Sequence, residues 1–136
     1  MVSFPSALAK ALANPSACTR LSLAGAELPS IPREIGTLTA LRTLNLWRAV
    51  AAGGDPTVPP EIGRLRSLET LSLGGNAFRK LPDEIGRLGR LRKLELDYAG
   101  FLKTVPESIG ALGDLEELSL GYTESLTRLP EARALK

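Results

Sequence analysis

The frame Leu-x-Leu recurs five times in this chain, at positions 21/23, 44/46, 71/73, 94/96 and 118/120. Successive starts lie 23, 27, 23 and 24 residues apart. A second frame, aliphatic-Pro-x-x-Ile-Gly-x-Leu-x-x-Leu, runs from Ile31 to Leu41, Val58 to Leu68, Leu81 to Leu91 and Val105 to Leu115. A fixed period of this length belongs to stacked arrays, and it overrides any element-by-element reading.

Each half of the period has its own geometry. Leucines two apart in an extended segment point to one side, and the residue between them points to the other. Pro32, Pro59, Pro82 and Pro106 suit the first turn of a short helix, where no N–H donor is needed. Glu34, Glu61 and Glu84 follow in that turn, where a carboxylate favours the helix start. Ile35, Ile62, Ile85 and Ile109 join Leu38, Leu65, Leu88 and Leu112 in an inward i, i+3 stripe. The glycine after each isoleucine (Gly36, Gly63, Gly86, Gly110) is expected to let neighbouring turns pack closely or end early. One strand and one turn cannot cover their own apolar side. Stacked units can, so the expected class is an α/β solenoid with a curved parallel sheet inside and short helices or 3-10 turns outside.

Ahead of the array, Phe4, Ala7, Leu8, Ala11 and Leu12 form a helical apolar stripe that stops at Asn14-Pro15. The reading is therefore one domain over residues 1–136. It has a capping helix at 3–13, about five repeats from 18 to 128, and a truncated sixth repeat at 129–136 with Arg133 in place of isoleucine.

Composition narrows the chemistry. Aromatic residues are 4% of the chain, so aliphatic side chains must build the core. There is no histidine, which removes the commonest general base and metal ligand. Cys18 is the single cysteine, which excludes an internal disulfide and fits a reducing, cytoplasmic setting. It takes a leucine position of the first repeat and reads as a small core residue. A net charge of +2 gives no general drive toward nucleic acid or anionic membranes. No apolar run is long enough to span a bilayer. The N-terminus lacks the basic start of an export signal, and Pro5, Lys10 and Pro15 interrupt it. No cofactor is expected.

The units resemble those of leucine-rich-repeat proteins, of the bacterial and plant-intracellular kind with "LPxEIGxLxxLxxLxLxxN" repeats. The resemblance covers roughly residues 18 to 130, and the lead-in "ALANPSACTRLSLAGAELPSIPREIG" resembles the opening of small bacterial members. It implies a binding module with its partner on the concave sheet. Three departures stand out. The asparagine that ties neighbouring turns together is present only as Asn76, with Ala26, Ala49, Ala99 and Thr123 at the equivalent places. The second repeat carries an insertion, roughly Ala49 to Thr57. The sixth repeat has no recognisable cap.

Placing the repeats in register gives the outward columns. Just before the strand centre lie Arg20, Thr43, Thr70, Lys93 and Glu117. Between the leucines are Ser22, Asn45, Ser72, Glu95 and Ser119; next come Ala24, Trp47, Gly74, Asp97 and Gly121; then Gly25, Arg48, Gly75, Tyr98 and Tyr122. The only tryptophan and both tyrosines fall here, and Trp, Tyr and Arg are enriched at interface hot spots. The expected partner site is Asn45, Trp47, Arg48, Lys93, Glu95, Asp97, Tyr98 and Tyr122. Small residues at Ser72, Gly74 and Gly75 predict a hollow about 10 Å across between Trp47 and the tyrosines. The competing expectation for Trp47 is that it folds back beneath the inserted loop. The loop is expected as a flap beside the concave surface, and Phe78 and Phe101 are expected in the core.

The Glu95/Asp97 pair reads as a polar patch and not as an acid/base site. Arg64, Arg66, Arg87 and Arg90 read as a solvated convex face, interrupted by Glu61, Asp83 and Glu84. The expected function is a non-enzymatic protein-interaction module without membrane contact. The alternatives are the recognition part of a larger effector or signalling scaffold, acting in a host cytosol if secreted, and ligand or nucleic-acid binding. A second copy docking on the bare C-terminal end is a further expectation.

Overall fold

The computed structural model describes residues 4–127. The sixth repeat expected at 129–136 lies outside the described residues. Five short strands, β1 (Arg20–Ser22), β2 (Thr43–Asn45), β3 (Thr70–Ser72), β4 (Lys93–Glu95) and β5 (Glu117–Ser119), form one parallel sheet in chain order. The register follows the repeat, with Leu21, Leu44, Leu71, Leu94 and Leu118 paired in one row.

Pairing continues past the strands. The amides of Leu23, Leu46, Leu73 and Leu96 donate to the carbonyls of Asn45, Ser72, Glu95 and Ser119 at 2.8–2.9 Å. Two residues further, Gly25, Arg48, Gly75 and Tyr98 donate to Trp47, Gly74, Asp97 and Gly121 at 2.8–3.0 Å. Each repeat is thereby locked to the next for about five residues.

The chain returns along the convex side in 3-10 turns at Arg33–Thr37, Pro60–Arg64, Asp83–Arg87 and Glu107–Ala111. Pro32, Pro59, Pro82 and Pro106 stand at the cap, one residue ahead of the turn, with extended backbone. Their carbonyls accept the amides of Ile35, Ile62, Ile85 and Ile109 at 3.0–3.1 Å. A one-turn helix has no interior to spare, so the proline contributes an acceptor and a fixed φ from outside it.

These turns stack without slack. A Cβ at Gly36 would lie 2.8 Å from the Glu61 carbonyl oxygen, and one at Gly63 would lie 2.8 Å from that of Glu84. Gly86 meets Ser108 in the same manner, and Ser108 Oγ donates to the Asp83 carbonyl at 2.8 Å.

Helix α1 (Ser6–Ala13) closes the N-terminal end, with Leu8 and Ala11 buried on the first repeat and Phe4 and Leu12 packed beside them. The core runs unbroken from Leu8 to Leu115 and is almost wholly aliphatic. Cys18 packs half-buried against it, its thiol facing the Arg20 carbonyl. Phe78 is its one buried aromatic residue among those described. Phe101 departs from expectation: it is 59% exposed, and Leu102 fills the core place. Repeat four is one residue longer than repeat three, so the inward position slips by one.

Asn76 is buried, and its Nδ2 serves the carbonyls of Leu46, Leu73 and Gly74 at 2.8–3.1 Å. Its Oδ1 accepts the Val50 amide at 3.1 Å. Ala49 and Ala99 fill the equivalent places with a buried methyl, and Thr123 uses its hydroxyl on the Leu120 carbonyl. The one asparagine thus pins the residue where the insertion starts. The insertion itself is no flap beside the concave sheet. Val50 bridges Leu28 of the preceding repeat in parallel fashion, and the amides of Ala51 and Asp55 donate to Leu28 and Pro29 at 2.8 Å. Unpaired carbonyls on that edge of repeat one gave the loop a partner.

Candidate functional site

Each strand leads into a four-residue turn whose third residue has positive φ. Gly25, Arg48, Gly75, Tyr98 and Tyr122 occupy that place, with φ from 48° to 71°. This left-handed region suits glycine and strains a residue with a Cβ, by roughly 1–2 kcal/mol. The hydrogen bonds from Arg48 and Tyr98 to the next repeat hold them there regardless.

The turn aims the side chains into a continuous row. Trp47 lies across repeat three, over Gly74 and Gly75, and its ring meets Tyr98 edge to face with centroids 5.8 Å apart. Tyr98 stacks on Tyr122 at 4.6 Å and an interplanar angle of 11°. The Arg48 guanidinium sits 5.7 Å from the indole centroid. The expected 10 Å hollow is therefore closed: the ring of Trp47 occupies the space that Gly74 leaves. A methyl at Gly74 would overlap both Trp47 and the Glu95 carboxylate, and one at Gly75 would lie 2.6 Å from Arg48 Cγ. Trp47 is half-buried in this direction, away from the inserted loop. Tyr98 is 49% exposed and Tyr122 69%.

The polar side chains of the row are held by the backbone. Asn45 Oδ1 accepts the Trp47 amide at 2.9 Å, and Glu95 Oε1 accepts the Asp97 amide at 2.9 Å. Ser72 Oγ donates to Glu95 Oε2 at 2.6 Å. Asp97 Oδ1 takes the Ser119 hydroxyl at 2.7 Å and the Gly121 amide at 2.6 Å. Asn45 is thus a support for the Trp47 backbone. Ser72, Ser119 and Gly121 enter the site as holders of the two carboxylates; their only signal in the sequence is column membership.

Lys93 stands apart. It lies at the opposite end of β4 from Tyr98 and faces Glu117 at 3.8 Å. Arg42–Glu69 at 3.9 Å and Arg92–Glu116 complete an exposed ladder of opposite charges along that edge. The hydrogen bond that Arg92 donates to Glu116, and then the charge of that carboxylate, hold the Arg92 guanidinium above its ordinary pKa. Among the described residues no three His, Cys, Asp or Glu side chains converge as metal ligands, and no helix is long and apolar enough to cross a membrane.

A family model of the leucine-rich repeat region matches residues 54–136. A solved leucine-rich-repeat protein of Leptospira interrogans is 32% identical over 99% of this chain, with a TM-score of 0.65. The chain belongs to the leucine-rich-repeat family. The leucine-rich-repeat domain of the type III effector XopL shares the fold, at 23% identity over 96% of this chain and a TM-score of 0.61. This leucine-rich-repeat chain spans 40% of the Leptospira protein and 63% of the XopL domain structure. No curated protein sequence matches it. No enzyme family is indicated.

Proposed function

We propose that this leucine-rich-repeat chain is a non-enzymatic protein-interaction module, and that its partner docks on the row Trp47, Tyr98 and Tyr122 with Arg48, Glu95 and Asp97. One observation carries the reading. At a backbone position that favours glycine, three of five repeats hold Arg or Tyr instead, and those side chains lie exposed along one surface. Neither arginine nor tyrosine favours that conformation. A rigid aromatic row is the kind of anchor that dominates binding energy in an interface of roughly 800 Å² per partner.

The test is affinity capture from the source cells with the parent chain and the Trp47→Ala/Tyr98→Ala variant. The double variant is expected to lose its partner while its far-ultraviolet circular dichroism stays unchanged; undiminished capture removes the reading. A second reading treats the chain as the recognition part of a larger effector or scaffold. The greater length of the Leptospira relative favours it. Immunoblotting of source cells for the native product decides between the two. The single half-buried Cys18 supports a reducing location, the cytoplasm or a host cytosol.

A further inference from the structure

The two ends of the aromatic row differ in charge. At the Trp47 end the chain supplies its own cation, Arg48, whose guanidinium lies over the indole. At the tyrosine end stands the Asp97 carboxylate, with that of Glu95 behind it over Gly74, and neither meets a Lys or Arg within 4.0 Å among the described residues. Glu95 and Asp97 accept only from neutral donors, the hydroxyls of Ser72 and Ser119 and two backbone amides. Asp97 precedes Tyr98, and its Oδ1 binds the amide that precedes Tyr122. The carboxylate therefore stands between the two tyrosine-bearing turns. Its Oδ2 makes no hydrogen bond among the described residues.

A carboxylate beside the exposed Tyr122 ring, whose inner face is taken by Tyr98, is complementary to a planar cation. A guanidinium lies flat on a ring while its N–H groups point, in its own plane, at the carboxylate. An ammonium cannot satisfy both directions as well, and a neutral sugar would leave the charges uncompensated. Resting on the concave-face reading above, we infer that Tyr98, Tyr122 and Asp97, with Glu95 behind them, hold an arginine side chain presented by an extended segment of the partner protein. Arg48 on Trp47 is the intramolecular counterpart of this contact. The charged ladder at the other end of the strands is self-paired, whereas Glu95 and Asp97 on the row have no cationic partner among the described residues.

The experiment titrates the whole chain with a capped Gly-Arg-Gly peptide and its lysine and citrulline counterparts. Fluorescence of the single tryptophan and the tyrosine ring signals in NMR report binding. Saturable binding is expected for arginine, weaker for lysine, none for citrulline, and rising salt should weaken it. Asp97→Asn keeps the acceptor for Ser119 and Gly121, so it should fold as the parent and bind the arginine peptide about tenfold more weakly. Absence of saturable arginine binding, equal binding of citrulline, or full affinity in Asp97→Asn overturns the inference. Saturable binding of methyl glucoside in place of the arginine peptide overturns it too, and assigns the face to carbohydrate. Partner capture lost in Trp47→Ala/Tyr98→Ala but intact in Asp97→Asn leaves the concave-face reading standing without the arginine; capture intact in both removes that reading itself.

Discussion

Two columns of the repeat call for glycine, and the chain answers them differently. On the convex side, Gly36, Gly63 and Gly86 are there because the next turn leaves no room for a Cβ. On the concave side, Gly25, Arg48, Gly75, Tyr98 and Tyr122 share a left-handed backbone, but space is open above Gly25. Where sterics forbid a side chain, all three repeats comply. Where the backbone only disfavours one, three of five repeats carry one, and all three are large. The first column reports what the fold requires; the second reports what the fold permits at a cost in backbone strain.

The largest effect should come from the forbidden column. Gly63→Ala places a methyl against the Glu84 backbone and should lower stability by about 2–3 kcal/mol in urea denaturation, unless the stack can open. A negligible change would mean that the convex glycines are not set by packing. Next, Asn76→Ala leaves the Leu73 carbonyl and the Val50 amide without their side-chain partner and should cost about 2 kcal/mol, read as a lowered thermal midpoint. Ala49 and Ala99 hold the same slot in other repeats, so an unchanged midpoint would show that shape alone matters there. Gly25→Ala meets nothing within 4 Å, which isolates the backbone term. It should destabilise by about 1 kcal/mol, and a neutral result would dissolve the strain argument for the concave column. The smallest stability change is expected for Tyr122→Gly. Relief of about 1 kcal/mol offsets a lost aromatic stack of about 0.5–1.5 kcal/mol. The variant should melt near the parent and yet bind its partner at least about tenfold more weakly; a large drop in stability would make the tyrosine structural.

Much of this was legible in the residues. The Leu-x-Leu frame set strand positions and register, because a two-residue alternation and a fixed period leave one way to stack. The stripe from Phe4 to Leu12 placed the capping helix. Phe101 misled because one added residue shifts an inward position, and residue type does not reveal where a turn absorbs it. The conformations of Arg48, Tyr98 and Tyr122 were hidden for a different reason: none of these residues favours positive φ, and only Gly25 and Gly75 hinted at it. The closure of the row over Gly74 depends on ring orientation, which column alignment does not contain. The loop's attachment to repeat one depends on free carbonyls of another repeat.

Trp47 reaches Tyr98 only because the repeat between them presents Gly74. Repeat three therefore acts as a spacer of fixed pitch. Excising one 23-residue period, positions 71 to 93, would keep every row of strand pairing possible. It would also set Trp47 beside Asp97, where there is no slot for an indole. Arrays of this kind lengthen and shorten by whole units, so the row carries a dependence on copy number: losing one unit would break it without altering any of its residues.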